Sequence, residues 1–261
     1  MSHDLQGHVA LVTGATRLQG IGAAIVRRLA ERGAAVAFTH WRPYDAAFPW
    51  SGAANEPARL AAEVEALGVR ALPVEIDLAD PSAPEVLLDT VEHDLGSVSI
   101  LVNNAAYSTQ DGYEALDAST LDAHYAVNMR CTLLLSVGFA RRFRAEEGRG
   151  GRIISMTSGQ GLGPMPTELA YGATKGAIEA FTRSLAPAVM GQGITVNAVN
   201  PGPTNTGWID NDLRDVLVAR FPSGRLGEPD DAARLVAWLA SPDAAWVTGQ
   251  VISSEGGFLR E

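Results

Sequence analysis

A tyrosine and a lysine four residues apart in this sequence could pass a proton to or from a substrate. Tyr171 and Lys175 lie within an apolar helical pattern that continues to Leu185, and residues four apart share one face of a helix. A phenol has an ordinary pKa of about 10, and a nearby ammonium favours its phenolate and brings that pKa toward neutrality. The spacing therefore predicts an acid-base catalytic pair. The alternative is a packed tyrosine and a solvated lysine, which show the same spacing.

A serine stands thirteen residues (171 minus 158) before that tyrosine, just after a predicted strand at 152–155. Its hydroxyl, in Ser158, could hold a substrate oxygen. A lone serine or a lone tyrosine-lysine pair is weak evidence. Their occurrence together with a glycine-rich segment favours the catalytic interpretation.

The glycine-rich segment runs from Gly14 to Gly22, between the first predicted strand and the first predicted helix. A helix N-terminus offers free N–H groups and a partial positive charge, and small residues let a diphosphate approach the backbone. The sequence contains no phosphate loop of the G-x-x-x-x-G-K-[ST] type, which argues against a nucleoside triphosphatase. The segment therefore predicts a dinucleotide cradle.

Short apolar runs alternate with helical patterns along the whole chain, as in parallel strands joined by crossover helices. The runs are apolar almost throughout and do not alternate with polar residues, so we expect every strand to be buried on both faces. Seven strands are predicted, at 9–13, 35–39, 71–76, 100–103, 152–155, 194–199 and 251–253. The pattern predicts an α/β, Rossmann-type doubly wound sheet in a single domain, 1–261.

Helices are predicted from residue 21 to Gly33, and at 57–67, 81–95 and 229–240, the last three beginning with proline. Pro187 should kink a later helix or mark its last turn. The stretch 40–55, rich in proline and aromatic residues and including Trp50, is predicted to be an irregular loop insertion.

Composition excludes several classes of protein. The chain has 20 Lys and Arg against 30 Asp and Glu, a formal net charge of −10, which repels nucleic acid and anionic lipid. The single cysteine, Cys131, fits a reducing compartment, and the histidines lack metal-ligand spacing. No apolar run reaches the roughly 18 to 20 residues of a membrane span, and residues 1–8 do not suit a signal peptide. We expect an unprocessed cytoplasmic protein without a metal, a membrane or a nucleic-acid partner.

The sequence resembles the short-chain dehydrogenases/reductases, in their single-domain branch, over essentially its whole length. The matching residues are Gly14 to Gly22, Asp77-Leu78, Asn103-Asn104-Ala105-Ala106, Asn128, Ser158, Tyr171 with Lys175, Asn200-Pro201-Gly202, Thr248-Gly249-Gln250 and Gly256-Gly257. The resemblance implies NAD(P)(H)-dependent chemistry at a carbonyl or alcohol carbon, and the overall pattern is most like the 3-oxoacyl-[acyl-carrier-protein] reductases.

The resemblance also implies roles for individual residues. Tyr171 would exchange the proton, Lys175 would lower its pKa and bind the nicotinamide ribose, and Ser158 would hydrogen-bond the substrate oxygen. Asn128 would anchor a water in the proton relay, unless it is a helix residue bonded to nearby backbone. The implied cofactor contacts are Gly14, Gly20, Ile21, Gly22, Asp77, Leu78, Asn104, Ala105, Tyr171, Lys175, Pro201, Gly202 and Thr204.

The sequence departs from the family pattern in three places. Five residues separate Gly14 from Gly20, so the diphosphate loop should be longer than usual. Ala106 replaces a glycine, which is tolerable only if that position does not need positive φ. The aromatic residues of the insertion 40–55 could cap the cofactor or lie in an oligomer contact.

The choice between NAD and NADP depends on the residue that ends the second strand, because a carboxylate there would repel a ribose 2'-phosphate. That position is His40, with Arg42 close by and Arg17 in the glycine segment. The pattern predicts NADP(H) over NAD(H), unless both arginines are solvated.

The substrate is less well indicated. The segment 203–226 resembles the family's substrate lid, and its apolar residues suit a partly hydrophobic substrate or an ordinary helix face. A basic cluster could dock an acyl carrier protein, or be a solvated helix end beside Glu146 and Glu147. The cluster consists of Arg141, Arg142, Arg144, Arg149 and Arg152.

The sequence predicts a ketone reductase acting on a small-molecule carbonyl substrate. A secondary-alcohol dehydrogenase for another substrate and a non-catalytic, cofactor-sensing Rossmann protein are the alternatives. The resemblance also implies a homotetramer or homodimer, assembled through the long helices around 119–147 and 167–190.

Overall fold

Within residues 3–49, 51–145 and 149–260, which the computed structural model describes, seven parallel strands form one sheet. The strands are β1 Val9–Val12, β2 Ala35–His40, β3 Ala71–Glu75, β4 Ile100–Asn103, β5 Gly151–Met156, β6 Ile194–Asn200 and β7 Val251–Ser253. Their order is β3-β2-β1-β4-β5-β6-β7. The order reverses between β1 and β4, whose carboxyl ends border the crevice where doubly wound sheets bind ligands. The predicted Rossmann-type fold is confirmed.

Helices cover both faces of this sheet. They are α1 Ile21–Glu31, α2 Arg42–Asp45, α3 Glu56–Glu65, α4 Ala83–Asp94, α5 Gly112–Ala115, α6 Ala118–His124, α7 Thr132–Arg142, α8 Leu169–Val189, α9 Asn211–Val218 and α10 Pro229–Leu239. Pro187 lies in the last turn of α8, one of the two positions expected for it.

Successive residues of the central strands enter two separate cores. On one face Val12 packs with Leu29 of α1 and Val236 of α10. On the other face Leu11 packs with Leu135 of α7. Each fully buried aliphatic side chain contributes about 1.5 to 3 kcal/mol, so these two layers fix the strand ends that carry the loops described below.

Three predictions about the elements are wrong. The edge strands β3 and β7 contain no buried residue, because each has only one neighbouring strand. Helix α4 has Pro84 rather than Pro81 in its first turn. The insertion 40–55 contains the four-residue helix α2, which Pro43 helps to start; Trp50 lies outside the described residues.

Candidate active site

Helix α8 places the predicted acid-base pair against the end of β5. Lys175 is 4% exposed, and its Nζ donates a hydrogen bond to the carbonyl oxygen of Met156 at 2.8 Å. The same Nζ lies 5.3 Å from the centre of the Tyr171 ring. Burial lowers the pKa of Lys175 to about 8. The amine is therefore partly charged at mildly alkaline pH and lies close to the phenol.

The Tyr171 phenol is held in its protonated form by its surroundings. Burial raises its pKa, and the neighbouring Glu168 carboxylate and Tyr44 phenol raise it further, whereas a hydrogen bond with Ser158 lowers it. A proton donor to a carbonyl oxygen must carry its proton at neutral pH, and this phenol does. The expectation that Lys175 lowers the pKa of Tyr171 stays a prediction.

Ser158 lies two residues beyond β5, at the start of a short 3₁₀ turn, Gly159–Gly161. Its Oγ is 3.7 Å from the sulfur of Met165, and its side chain lies near enough to Tyr171 to lower the pKa of that phenol. The structure therefore brings together Ser158, Tyr171 and Lys175, although the serine comes from a strand end and the other two come from a helix.

Asn128 lies in a π-helical turn, Tyr125–Cys131, between α6 and α7; such turns are frequent at functional sites. Its side chain pairs with the backbone of Tyr107, because Oδ1 accepts from the N–H at 2.7 Å and Nδ2 donates to the C=O at 2.9 Å. Nδ2 also donates to Oγ1 of Thr174 at 3.1 Å. The backbone bonding considered for Asn128 is present, and the water-anchoring role stays a prediction.

The loop after β4 is fastened to the glycine segment by Thr13. The Thr13 Oγ1 accepts hydrogen bonds from the N–H groups of Asn104 and Ala105, each at 3.0 Å. Nδ2 of Asn104 donates to the carbonyl oxygens of Thr13 and Gly14 at 3.0 and 2.8 Å. No described non-glycine residue has a positive φ, so Ala106 satisfies the condition set by the sequence. The two predicted cofactor loops form one hydrogen-bonded unit.

The glycines of the segment permit close packing and leave a helix end open. A Cβ on Gly22 would lie 2.3 Å from the carbonyl oxygen of Gly14, which itself has φ +76°. Helix α1 follows Gly20 and begins at Ile21; among the described residues, no side chain caps its first turn, which contains no acidic residue. Uncapped N–H groups at the positive end of a helix suit a diphosphate.

The five residues between Gly14 and Gly20 are held by a contact from α3. The N–H of Leu18 donates to the carboxylate of Glu56 at 2.7 Å. This bond fixes the longer loop that the spacing predicts.

The residues predicted to select NADP(H) surround the end of β2. Burial lowers the pKa of His40, and its Nδ1 is buried without a hydrogen-bond partner among the described residues. Arg17 pairs with Asp45 at 3.2 Å and donates to the carbonyl oxygen of Thr206 at 2.6 Å. Arg42 donates to carbonyl oxygens of the insertion at 3.2 and 3.4 Å. The histidine can accept a new ligand bond, whereas both arginines already bind protein groups.

The other predicted cofactor residues also follow strand ends. After β3, Asp77 accepts a hydrogen bond from the backbone two residues on at 2.8 Å, and Leu78 is buried. After β6, Gly202 has φ +63°, and Oγ1 of Thr204 donates to the carbonyl oxygens of Gly202 and Pro201 at 3.0 and 3.3 Å.

The predicted lid, 203–226, has two different parts. None of the eight residues of α9 is buried, and Trp208 and Val216 are 42% and 53% exposed. Phe221 and Leu226, beyond the helix, are buried. The apolar residues therefore divide between an exposed helix and a packed end.

The five arginines predicted to form one basic cluster do not share a surface. Arg152 is 5% exposed on β5, and burial lowers its pKa. Arg142 pairs with Asp89 of α4 at 2.6 Å. The prediction of one cluster is wrong for Arg152, because its position in a central strand buries it; Glu146 and Glu147 lie outside the described residues.

Sequence reasoning missed Asp111, which holds the start of α8. Its Oδ1 accepts from the N–H of Leu169 at 2.7 Å, and its Oδ2 accepts from that of Ala170 at 2.9 Å. Burial raises the pKa of Asp111, but hydrogen bonds from backbone N–H groups outweigh this effect and the pKa lies below its usual value. Asp111 precedes the helix by 58 residues, so no local pattern identifies it.

Glu168 and Tyr44 were also missed. Burial raises the pKa of Glu168, the nearby Asp111 raises it further, and a hydrogen bond with Ser108 lowers it. Tyr44 accepts a hydrogen bond from the N–H of the same Ser108 at 3.1 Å. Both residues act electrostatically on Tyr171, so they belong to its surroundings.

The described residues give no support to cysteine chemistry, a metal centre or a membrane-spanning helix. Burial raises the pKa of the Cys131 thiol to about 12, so the thiol is not a nucleophile at neutral pH. In the described ranges, no three His, Cys, Asp or Glu side chains meet in a group that could hold a metal ion. The same part of the chain contains no helix with the length and apolar character needed to span a bilayer.

Known proteins resemble this chain over nearly its whole length. A family model described as enoyl-(acyl carrier protein) reductase matches residues 14–259. The uncharacterized oxidoreductase YjdA of Bacillus subtilis is 52% identical over 260 residues, which covers 100% of both chains. The 3-oxoacyl-[acyl-carrier-protein] reductase FabG of Vibrio cholerae is 34% identical, over 97% of this chain and 98% of that protein.

A solved structure gives the same result. The short chain dehydrogenase from Burkholderia cenocepacia, in complex with NADP, is 35% identical with a TM-score of 0.86, and the match covers 97% of this chain and 98% of that one. Sequence and fold agree: the chain is an oxidoreductase and belongs to the short-chain dehydrogenase/reductase family.

Proposed function

We propose that the protein uses NADP(H) to reduce a ketone to a secondary alcohol, through Ser158, Tyr171, Lys175 and Asn128. The observation that carries this proposal is the meeting of a serine hydroxyl, a protonated phenol and a buried amine at the end of β5. The relative from Vibrio cholerae is named a 3-oxoacyl-[acyl-carrier-protein] reductase, which supports a 3-oxoacyl thioester as one candidate substrate.

The protein residues carry the proton and position the substrate. NADPH, held at the first turn of α1, would supply the hydride for the carbonyl carbon. Ser158 donates a hydrogen bond to the carbonyl oxygen, and Tyr171 donates its proton to the same oxygen. Lys175 stabilises the Tyr171 phenolate that remains. Asn128 anchors a water, which returns a proton to this phenolate.

The described residues fit a nicotinamide dinucleotide. The open first turn of α1 offers N–H groups to the diphosphate, and the unpartnered Nδ1 of His40 can bond to the ribose end. We propose a preference for NADP(H), because β2 does not end in a carboxylate and because Arg17 and Arg42 can exchange their present partners for a 2'-phosphate. The NADP complex of the Burkholderia relative supports this choice.

The cofactor preference can be measured by fluorescence titration of the protein with NADPH and with NADH. Arg17→Ala and Arg42→Ala should each weaken NADPH binding about tenfold, one charge-assisted contact, and leave NADH binding within about twofold. Arg70→Ala is the control, since Arg70 binds carbonyl oxygens at the end of α4. Equal affinities of the wild-type protein for the two cofactors contradict the preference.

Turnover is tested by the loss of absorbance at 340 nm when NADPH is mixed with a panel of ketones that includes a 3-oxoacyl thioester. Tyr171→Phe should lower kcat by about 10²- to 10⁴-fold and leave NADPH binding within a few-fold. Binding of NADPH without turnover of any ketone would favour a cofactor-sensing protein. Oxidation of secondary alcohols with NADP⁺ alone would favour a dehydrogenase.

We also propose one domain over 1–261 with a lid at 203–226, in a cytoplasmic homotetramer or homodimer. Exposed apolar side chains along α6, the π-helical turn and α7 support assembly. Leu121, Tyr125 and Leu134 are 45%, 48% and 47% exposed. Light scattering should give a mass of two or four chains, and a monomer contradicts the proposal.

An acyl carrier protein is a further proposed partner, and Arg141→Glu tests it. This change should raise KM for the carrier-bound thioester and leave KM for the same thioester without its carrier unchanged.

A further inference from the structure

The insertion 40–55 crosses the mouth of the crevice. Tyr44 lies in α2, just after β2, yet its Oη accepts the N–H of Ser108, in the loop after β4, at 3.1 Å. Because β1 lies between β2 and β4 in the sheet, this contact passes over the carboxyl end of β1, where the glycine segment begins. Through Tyr44, the insertion therefore reaches the loop after β4 at the edge of the crevice.

The Tyr44 ring is fixed by aromatic neighbours on both sides. Its centroid lies 5.1 Å from that of Phe48, edge to face, and 5.3 Å from that of Tyr107. The Tyr107 ring in turn lies 4.9 Å from His124, also edge to face. Aromatic pairs at these separations contribute about 0.5 to 1.5 kcal/mol each beyond their buried area, so the cluster holds Tyr44 in one orientation.

An ion pair anchors the helix that carries this tyrosine. Asp45 bonds Arg17 at 3.2 Å, and Arg17 also donates to Thr206 of the lid at 2.6 Å. Both members of the ion pair are largely buried, with side chains 19% and 14% exposed. Helix α2 is thus tied to the glycine segment, and through it to the segment 203–226.

Tyr44 also lies within reach of the catalytic groups. Ser108 bonds Tyr44 through its N–H, and its side chain lowers the pKa of Glu168. The preceding residue, Tyr107, holds Asn128 through its backbone. Tyr44 acts electrostatically on Tyr171 itself. Tyr44 therefore packs against the same loop that holds Asn128, on the side of the crevice that faces β2.

We propose that Tyr44 is a specificity-determining residue, whose ring forms the β2-side wall of the substrate pocket and limits the size of the ketone that can approach Tyr171. The proposal rests on the proposed reduction of ketones, and it assigns to the insertion a role that the residue types alone left open.

The test compares a compact and a bulky ketone, butan-2-one and acetophenone, in wild-type protein, Tyr44→Ala and Tyr44→Phe. Removal of the Tyr44 ring should make room for a bulky ketone. Tyr44→Ala should therefore raise the ratio of kcat/KM for acetophenone to kcat/KM for butan-2-one by at least about tenfold, which corresponds to about 1.4 kcal/mol. Tyr44→Phe keeps the ring and should keep the wild-type ratio within about twofold. Tyr113→Ala, at a tyrosine that is 83% exposed, is the matched control and should change nothing.

A binding measurement separates this inference from the proposed reaction. NADP⁺ cannot donate a hydride, so calorimetric titration of the NADP⁺ complex with each ketone reports binding alone. Tyr44→Ala should strengthen acetophenone binding by about tenfold relative to butan-2-one even if turnover is absent, and the affinity for NADP⁺ should stay within about twofold. An unchanged ratio in a folded Tyr44→Ala protein, or no ketone binding by any variant, overturns the role of Tyr44.

Discussion

Lys175 lies one helical turn from Tyr171, with its Nζ 5.3 Å from the centre of the phenol ring, while its hydrogen bond goes to the carbonyl oxygen of Met156. The amine is therefore buried against a neutral acceptor, and burial lowers its pKa to about 8. An amine that loses its charge at this pH makes the acid-base properties of the site depend on pH in the mildly alkaline range.

The titration of Lys175 can be observed directly, because it is the only lysine in the sequence. Protein labelled with [¹³C]lysine should show one Hε–Cε cross-peak, which moves with a midpoint of about 8. Lys175→Arg, which should lose the peak, confirms the assignment. A midpoint at or above the ordinary 10.5 contradicts the burial described here.

The same group should make the folded protein more stable as the pH rises. The pKa of Lys175 is about 8 in the folded chain and 10.5 as a free group, so the unfolded chain binds more protons between these values and stability increases with pH. From about pH 7.5 to about pH 9.5, urea unfolding should show a gain of about 2 kcal/mol for wild-type protein relative to Lys175→Met. A relative loss of stability over this range has the wrong sign.

Asp111 should position α8, which carries the proposed catalytic pair Tyr171 and Lys175, without touching the substrate. Asp111→Ala removes the bonds to the N–H groups of Leu169 and Ala170, and it should cost about 1 to 2 kcal/mol of stability and lower kcat at least tenfold with little change in KM. Asp117→Ala is the control, because Asp117 caps α6 through Thr120 at 2.8 Å. If both variants lower kcat equally, the effect of Asp111 is general destabilisation.

Gly22 should not tolerate even one added methyl group. Its Cβ would lie 2.3 Å from the Gly14 carbonyl oxygen and 2.7 Å from Nδ2 of Asn104, so Gly22→Ala should cost about 1 to 3 kcal/mol and weaken NADPH binding at least tenfold. Gly176→Ala is the matched control. A Cβ there meets nothing within 4 Å, so thermal unfolding should show no loss and a gain of up to about 1 kcal/mol.

The parts of the site that could be predicted from sequence are those set by local pattern. The ends of the central strands fall within one or two residues of prediction, because each apolar run stops where a polar loop begins, as at Thr13 after β1. Tyr171 and Lys175 could be paired because helix geometry fixes their spacing. The ratio of basic residues is a further signal, because the sequence has 19 arginines and one lysine, 20 in all. A guanidinium is larger than an amine and is permanently charged, so a position that keeps lysine in such a sequence is one that arginine does not suit.

The parts that could not be predicted depend on contacts between distant segments. Tyr44 contacts Ser108, 64 residues away in the sequence, and Asp111 contacts Leu169, 58 residues away. No sequence motif around either residue indicates its distant partner. The burial of Arg152 follows from the central place of β5 in the sheet, which a cluster of basic letters does not reveal.

The loop after β4 ties three otherwise separate parts together, through Asn104 to the glycine segment, Tyr107 to Asn128 and Asp111 to α8. A length change within 104–111 would disturb all three attachments at once. The insertion 40–55 is attached mainly through side chains, Tyr44 and Asp45. Substrate range is therefore best varied by single substitutions at Tyr44, which leave the attachments of Asn104, Tyr107 and Asp111 in place.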